Sequence, residues 1–141
     1  MSRSTSRKRY VLVVEDNPGD VHLLREAFRR CPCPPELVDV PDGIAALERL
    51  RGKDGRPDVI LLDLNLPRMD GRELLSVIKQ DEKLRRIPVI VLTSSGSDSD
   101  VKLLYELSAN GYLIKPHDLE EFFALVQLFD AYWLRTSALP G

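Results

Sequence analysis

A chain of 141 residues has the length of one domain and can bury a core of its own, so a single folded unit is expected. Its 22 acidic and 20 basic residues leave a net charge of −2, and 43% apolar with 30% charged content is ordinary for a globular protein. Bulk charge therefore argues for neither a nucleic-acid nor a membrane partner, and no apolar run approaches the ~18 residues that a membrane span needs.

Arg3, Arg7, Lys8 and Arg9 lie among serines and a threonine, and residues 1–9 read as a solvated, flexible basic terminus. Tyr10 to Val14 is a β-rich apolar run that ends in Glu15, Asp16, Asn17 and Pro18, a strand and its turn rather than a leader with a cleavage site, so the cytoplasm is the expected compartment. Pro18 suits the first turn of a helix capped by Asn17. Val21, Leu24, Phe28 and Cys31 then recur at helical spacing until the Cys-Pro-Cys-Pro-Pro cluster stops the helix. Cys31 and Cys33 are too close for an ordinary disulfide, and neither they nor His22 and His117 have partners at metal-ligand spacing.

Leu37 to Val40 is a short second strand. Asp42-Gly43 leads into a helix carrying Ala45, Ala46, Leu47 and Leu50, ended by Gly52 and Gly55. The third strand, Val59 to Leu62, is apolar without interruption, as a strand buried on both faces must be, and it stops at Asp63. Pro67, Asp70 and Gly71 then precede a helix with Leu74, Leu75 and Ile78. Strand four is Val89 to Leu92, ending at Thr93, Ser94 and Ser95. Ser97 or Ser99 caps a helix with Val101, Leu104 and Leu107, which Asn110-Gly111 closes. Strand five, Tyr112 to Ile114, ends at Lys115-Pro116, and Asp118 caps a last helix reaching about Leu134, leaving 135–141 as a tail.

Five βα units with short connections, free of internal repeats, imply a doubly wound α/β fold over residues 10–134, with a parallel sheet ordered 2-1-3-4-5. Ligands of such sheets bind outside the carboxyl ends of the strands. At that edge the sequence delivers Glu15 and Asp16 after strand one, Asp63 after three, Thr93 after four and Lys115 after five. Each close pair of carboxylates repels by roughly 4 kcal/mol at an effective dielectric of about 20, so the cluster calls for a cation. Carboxylate oxygens without His or Cys suit Mg²⁺ or Mn²⁺, and Lys115 and Thr93 supply a charge and a donor for phosphoryl oxygens. The set points to phosphoryl transfer.

The segments VVEDN, LLDLNLPRMDG, VIVLTSS and GYLIKP, in this order, resemble the defining segments of response-regulator receiver domains, a flavodoxin-like fold shared with CheY. The resemblance implies that Asp63 is the phospho-acceptor and that Glu15, Asp16 and Asp63, with the backbone carbonyl of Asn65, hold the metal. It further implies that Thr93 and Tyr112 form the switch, that Lys115 pairs with the phosphate, that Asn65 and Ser95 tune the lifetime, and that Pro116 is cis. Ser94 departs from the small apolar residue often found after the switch threonine. EDNPGD and the YWL to LPG ending resemble the stand-alone receivers of bacterial phytochrome kinases, which implies a light-regulated sensor histidine kinase as donor. Such a chain catalyses only its own phosphorylation and dephosphorylation.

Output would then pass through binding to a downstream protein. In the last helix Phe122, Val126, Phe129 and Trp133 share one face, and Leu125, Leu128 and Tyr132 another. The second face suggests a homodimer through helix 4, strand 5 and helix 5. Two alternatives stand beside this reading. An aspartyl-nucleophile phosphatase would resemble D-x-D, which Asp63-Leu64-Asn65 lacks, and a phosphorylation-independent scaffold would not need the complete acid, threonine and lysine set. A nucleotide-binding sheet protein lacks its Gly-rich loop after strand one.

Overall fold

The computed structural model describes residues 8–53, 55–94 and 96–136. Five strands, β1 (Tyr10–Val14), β2 (Glu36–Val40), β3 (Val59–Leu62), β4 (Val89–Thr93) and β5 (Gly111–Ile114), alternate with five helices. These are α1 (Pro18–Arg29), α2 (Gly43–Arg51), α3 (Gly71–Gln80), α4 (Asp98–Glu106) and α5 (Leu119–Phe129). The sheet order is β2-β1-β3-β4-β5 with every pair parallel, the order expected from the sequence.

Successive residues of a strand point to opposite faces, and the helices divide accordingly. Leu12, Val14, Ile60, Leu62 and Val91 pack with Ala46, Leu74, Leu75, Ile78 and Leu104 from α2, α3 and α4. Val11, Val13, Leu61, Ile90 and Leu92 pack with Leu24, Phe28, Phe122, Val126 and Phe129 from α1 and α5. All four β3 side chains are buried, and each contributes about 1.5–3 kcal/mol, which anchors the strand that carries Asp63.

Each helix starts from a capping side chain. Asn17 accepts from Asp20 N, Asp42 from Ala45 N, Asp70 from Arg72 N and Glu73 N, Ser97 from Asp100 N, and Asp118 from Glu121 N. Because every helix follows a strand, all five N-termini open on one edge of the sheet, where their partial positive charge favours anions.

Two helix ends differ from the expected ones. α4 ends at Glu106 because Ser108 turns left-handed (φ 74°), its amide bonding Tyr105 O at 2.9 Å and that of Ala109 bonding Leu104 O at 3.0 Å. Asn110 instead serves the start of β4, its Oδ1 accepting from Val89 N and Lys79 Nζ, both at 2.9 Å. α5 ends at Phe129 and passes into a π-helical turn, Asp130–Thr136. There the buried Asp130 carboxylate pairs with Arg135 Nε at 2.9 Å, and Arg9 Nε donates to Leu134 O at 3.2 Å. Burial raises the Asp130 carboxyl above its ordinary range despite Arg135. Arg9, expected in the N-terminal arm, is thus joined to the fold, whereas residues 1–7 and 137–141 of the expected arm and tail lie outside the described residues. No helix among the described residues is long and apolar enough to cross a membrane.

Candidate functional site

Sheet register brings the polar residues to one place. The amide of Glu15 bonds Val40 O at 3.0 Å, that of Asp63 bonds Val14 O at 3.0 Å, and that of Lys115 bonds Thr93 O at 2.8 Å. Each residue therefore extends the ladder by one step past its strand, and its side chain leaves the sheet at the carboxyl edge. Glu15, Asp16 and Asp63 each place a carboxylate oxygen within 4.8 Å of the others. Glu15 is buried, Asp16 is exposed, and Asp63 retains 9% exposure, so the cluster has a solvent-facing mouth.

Lys115 crosses the cluster, its Nζ donating to Glu15 Oε1 at 2.7 Å and to Asp20 Oδ2 at 2.9 Å. Glu15 Oε2 accepts from Asn17 N at 3.2 Å, and Asp63 Oδ1 accepts from Leu64 N at 2.9 Å. Burial, assisted by the Asp63 charge, pushes the Glu15 carboxyl above its ordinary range, with Lys115 opposing. Burial also works against the Lys115 ammonium, but its bonds to Glu15 and Asp20 more than offset that and hold it above its ordinary value.

Three carboxylates of hard oxygens, with no His or Cys among them, fit a small divalent cation. Thr93 is fully buried at the end of β4, and its Oγ1 has no hydrogen-bond partner among the described residues. An unpaired buried hydroxyl is costly, and here it stands at the edge that carries the acids. Tyr112 is half-buried and packs against the cluster that includes Leu104 and Val91.

The loop that follows Asp63 is held by contacts that the sequence alone does not display. Arg68 takes a left-handed conformation (φ 62°) and reaches the Asp42 carboxylate with Nε at 2.8 Å and Nη2 at 3.1 Å. Gly71 N bonds Leu64 O at 3.0 Å, so the loop closes over the Asp63 backbone. Asp20, Arg68 and the close approach of Gly71 are absent from the expected site. Asp20 had one available signal, since α1 capped by Asn17 brings its first turn back to the strand edge.

Other expected residues fall as follows. Asn65 is exposed two positions past Asp63, and Ser95 lies outside the described residues. The Lys115–Pro116 bond is trans, since no cis peptide is found among the described residues, which corrects the cis form implied by resemblance. Trans is favoured for X–Pro by about 0.5–1 kcal/mol, and in this arrangement Lys115 already reaches both carboxylates. Leu128 and Tyr132 are 69% and 60% exposed, but Leu125 packs partly into the core and so parts from that face. Cys31 is buried, its thiol pushed up to about 11 chiefly by burial, and Cys33 is exposed; both are free.

The fold has counterparts among known proteins. The chain is 42% identical to the response regulator Rcp1 of Synechocystis sp., covering 100% of this chain and 99% of that protein. The crystal structure of the phosphorylated cyanobacterial phytochrome response regulator RcpA has 41% identity and a TM-score of 0.90 over 96% of this chain and 100% of its own. The Mn²⁺-bound form of Rcp1 has 43% identity and a TM-score of 0.88, covering 94% of this chain and 99% of its own. Residues 11–127, which run from β1 into α5 and include every acid of the cluster, match the response regulator receiver domain, and to that family the chain belongs.

Proposed function

We propose that this chain is a phosphoryl-accepting switch of a two-component relay, with Asp63 as the residue modified. The observation that carries the reading is the Asp63 carboxylate grouped with Glu15 and Asp16 within 4.8 Å, beside the Lys115 ammonium. A carboxylate so placed is a nucleophile with charge compensation close by.

A carboxylate oxygen of Asp63 attacks the phosphorus of a phosphohistidine on a sensor kinase. The new O–P bond forms as the P–N bond breaks, and the electron pair of that bond leaves with the imidazole nitrogen. Lys115 faces the oxygens of the group in flight. Glu15, Asp16 and Asp63, with the Asn65 backbone carbonyl, would hold Mg²⁺ or Mn²⁺, which supplies neutralising charge to those oxygens when bound. Water later attacks the acyl phosphate, releasing the Asp63 carboxylate and inorganic phosphate, and the resemblance to receiver domains supports Asn65 and Ser95 as the residues that tune its lifetime.

The aspartyl phosphate brings up to two negative charges beside the Thr93 hydroxyl, which has no partner among the described residues and turns to bond it, vacating space for Tyr112. The change reaches the face formed by α4, β5 and α5, where Tyr105, Ile114, Leu128 and Tyr132 are exposed. That face serves a second copy of the chain or a downstream protein. The likeness to RcpA and Rcp1 supports a phytochrome histidine kinase as the donor.

The test is intact mass after incubation with Mg²⁺ and a small acyl-phosphate donor. Wild type should gain a single adduct of about 80 Da that is absent from Asp63→Asn and absent without metal. Turnover of an external phosphate ester would instead favour a phosphatase, and no adduct would favour a scaffold.

A further inference from the structure

We propose that Asp20 is a positioning residue that parks Lys115 on the α1 side of the cluster and so sets how readily Asp63 takes a phosphoryl group. The inference rests on the assignment of Asp63 above. An ammonium has three N–H donors, and two of those of Lys115 are spent on Glu15 and Asp20, at 2.7 and 2.9 Å. Asp20 is not one of the three carboxylates gathered within 4.8 Å, so its partner in the site is the lysine rather than the cation. Its place is set by α1: Asp20 N bonds Asn17 Oδ1 at 3.1 Å, and the cap that starts the helix also fixes this carboxylate.

The two carboxylates that hold Lys115 are not equivalent. The Glu15 side chain is 4% exposed and the Asp20 side chain 36%. Releasing Glu15 would strand a buried charge, whereas releasing Asp20 hands its carboxylate to water. A cleft of about 100 Å³ lies beside it between α1 and the turn after β5, walled in part by Asp20, Lys115 and His117. When phosphoryl oxygens arrive at Asp63, Lys115 exchanges Asp20 for them and keeps Glu15. The Asp20 pair is therefore a restraint that phosphorylation must break, and partly exposed pairs hold by a factor of about two to five.

The experiment is a titration with trifluoroberyllate, a phosphoryl mimic, in the presence of Mg²⁺, read by ¹⁹F NMR on wild type, Asp20→Asn, Lys115→Met and the double variant. Asp20→Asn should bind the mimic about threefold tighter when Lys115 is present and no tighter in the Lys115→Met background. An equal gain in both backgrounds would mean that Asp20 acts as a distant charge, and that outcome overturns the proposal, as does no gain in either. Asp20→Ser, with a shorter side chain, should repeat the gain and guards against a folding defect peculiar to one variant. If wild type takes up no mimic, the assignment of Asp63 fails and the proposal with it; uptake by wild type without the Lys115-dependent gain removes the proposal alone.

Discussion

Gly71 lies against the main chain of Asp63: a β-carbon placed on Gly71 would fall 2.4 Å from the Asp63 carbonyl oxygen and 2.9 Å from the Leu64 α-carbon. Both neighbours are backbone, so neither can turn aside. Gly71→Ala should displace the segment that presents the carboxylate, with a loss of about 1–3 kcal/mol in urea unfolding. The rate of adduct formation should fall by about tenfold or more, since small misplacements of a nucleophile are expensive. A variant with wild-type stability and rate would show that the loop has room to give.

Thr93 presents the opposite trade. Its hydroxyl is buried and without a partner among the described residues, so the unmodified chain bears the cost of an unsatisfied donor. Thr93→Val keeps the shape and removes the hydroxyl, and it should stabilise the unphosphorylated protein by about 1 kcal/mol. The same variant should still form the adduct but lose the movement of Tyr112 resonances that follows it in NMR spectra. Destabilisation by Thr93→Val, or an unchanged Tyr112 response, would remove the switching role.

Asp42 should give the protein an acid-sensitive component of stability. The Arg68 guanidinium, and next the Ala45 amide, hold its carboxyl below the usual range. A depressed folded-state value adds stability that is fully present above the unfolded value of about 3.9 and is lost as pH falls through the lower folded value. Asp42→Asn retains an acceptor for the α2 cap but not the charge. It should unfold about 1 kcal/mol more easily than wild type at pH 7, with the gap closing in strong acid. Urea midpoints at pH 7 and pH 2.5 decide the matter, and a gap of constant size would assign the effect to packing.

The exposed apolar residues of α5 and its extension make the oligomeric state measurable. If a second copy covers Leu128 and Tyr132, Leu128→Asp should shift sedimentation equilibrium toward monomer by about tenfold in dissociation constant, a typical loss at a buried interface position. A wild type that sediments as monomer throughout would assign the face to another protein.

What could be read from the sequence was whatever depends on local pattern. The uninterrupted apolar run of β3 is legible because a strand covered on both faces has no polar side. The strand-end acids are legible because each apolar run stops abruptly at them. Contacts between distant segments left no such mark. Nothing in the order of residues pairs Arg68 with Asp42, and Gly71 reads as an ordinary turn glycine until the Asp63 carbonyl is found beside it. Asn110-Gly111 looks like a helix stop, yet Ser108 had already ended α4 and left Asn110 to hold Val89 and Lys79. At the end of α5 the helical periodicity continues through Asp130, and the pairing of that acid with Arg135 and the bond from Arg9 to Leu134 accompany the change to a π turn.

The bond from Arg9 to Leu134 closes the described chain almost into a ring. Arg9 also faces Asp58 at 3.8 Å, and Asp58 accepts from Tyr10 N at 2.9 Å, so the start of β1, the approach to β3 and the last helical turn are fastened together. That fastening lies at the pole of the sheet opposite Asp63. A linker of a few residues could therefore join these two points, and the chain could be opened instead beside the exposed Gly52, just past α2. Such a circular permutant would thread the same sheet from a different starting strand while leaving the order of groups around Asp63 untouched.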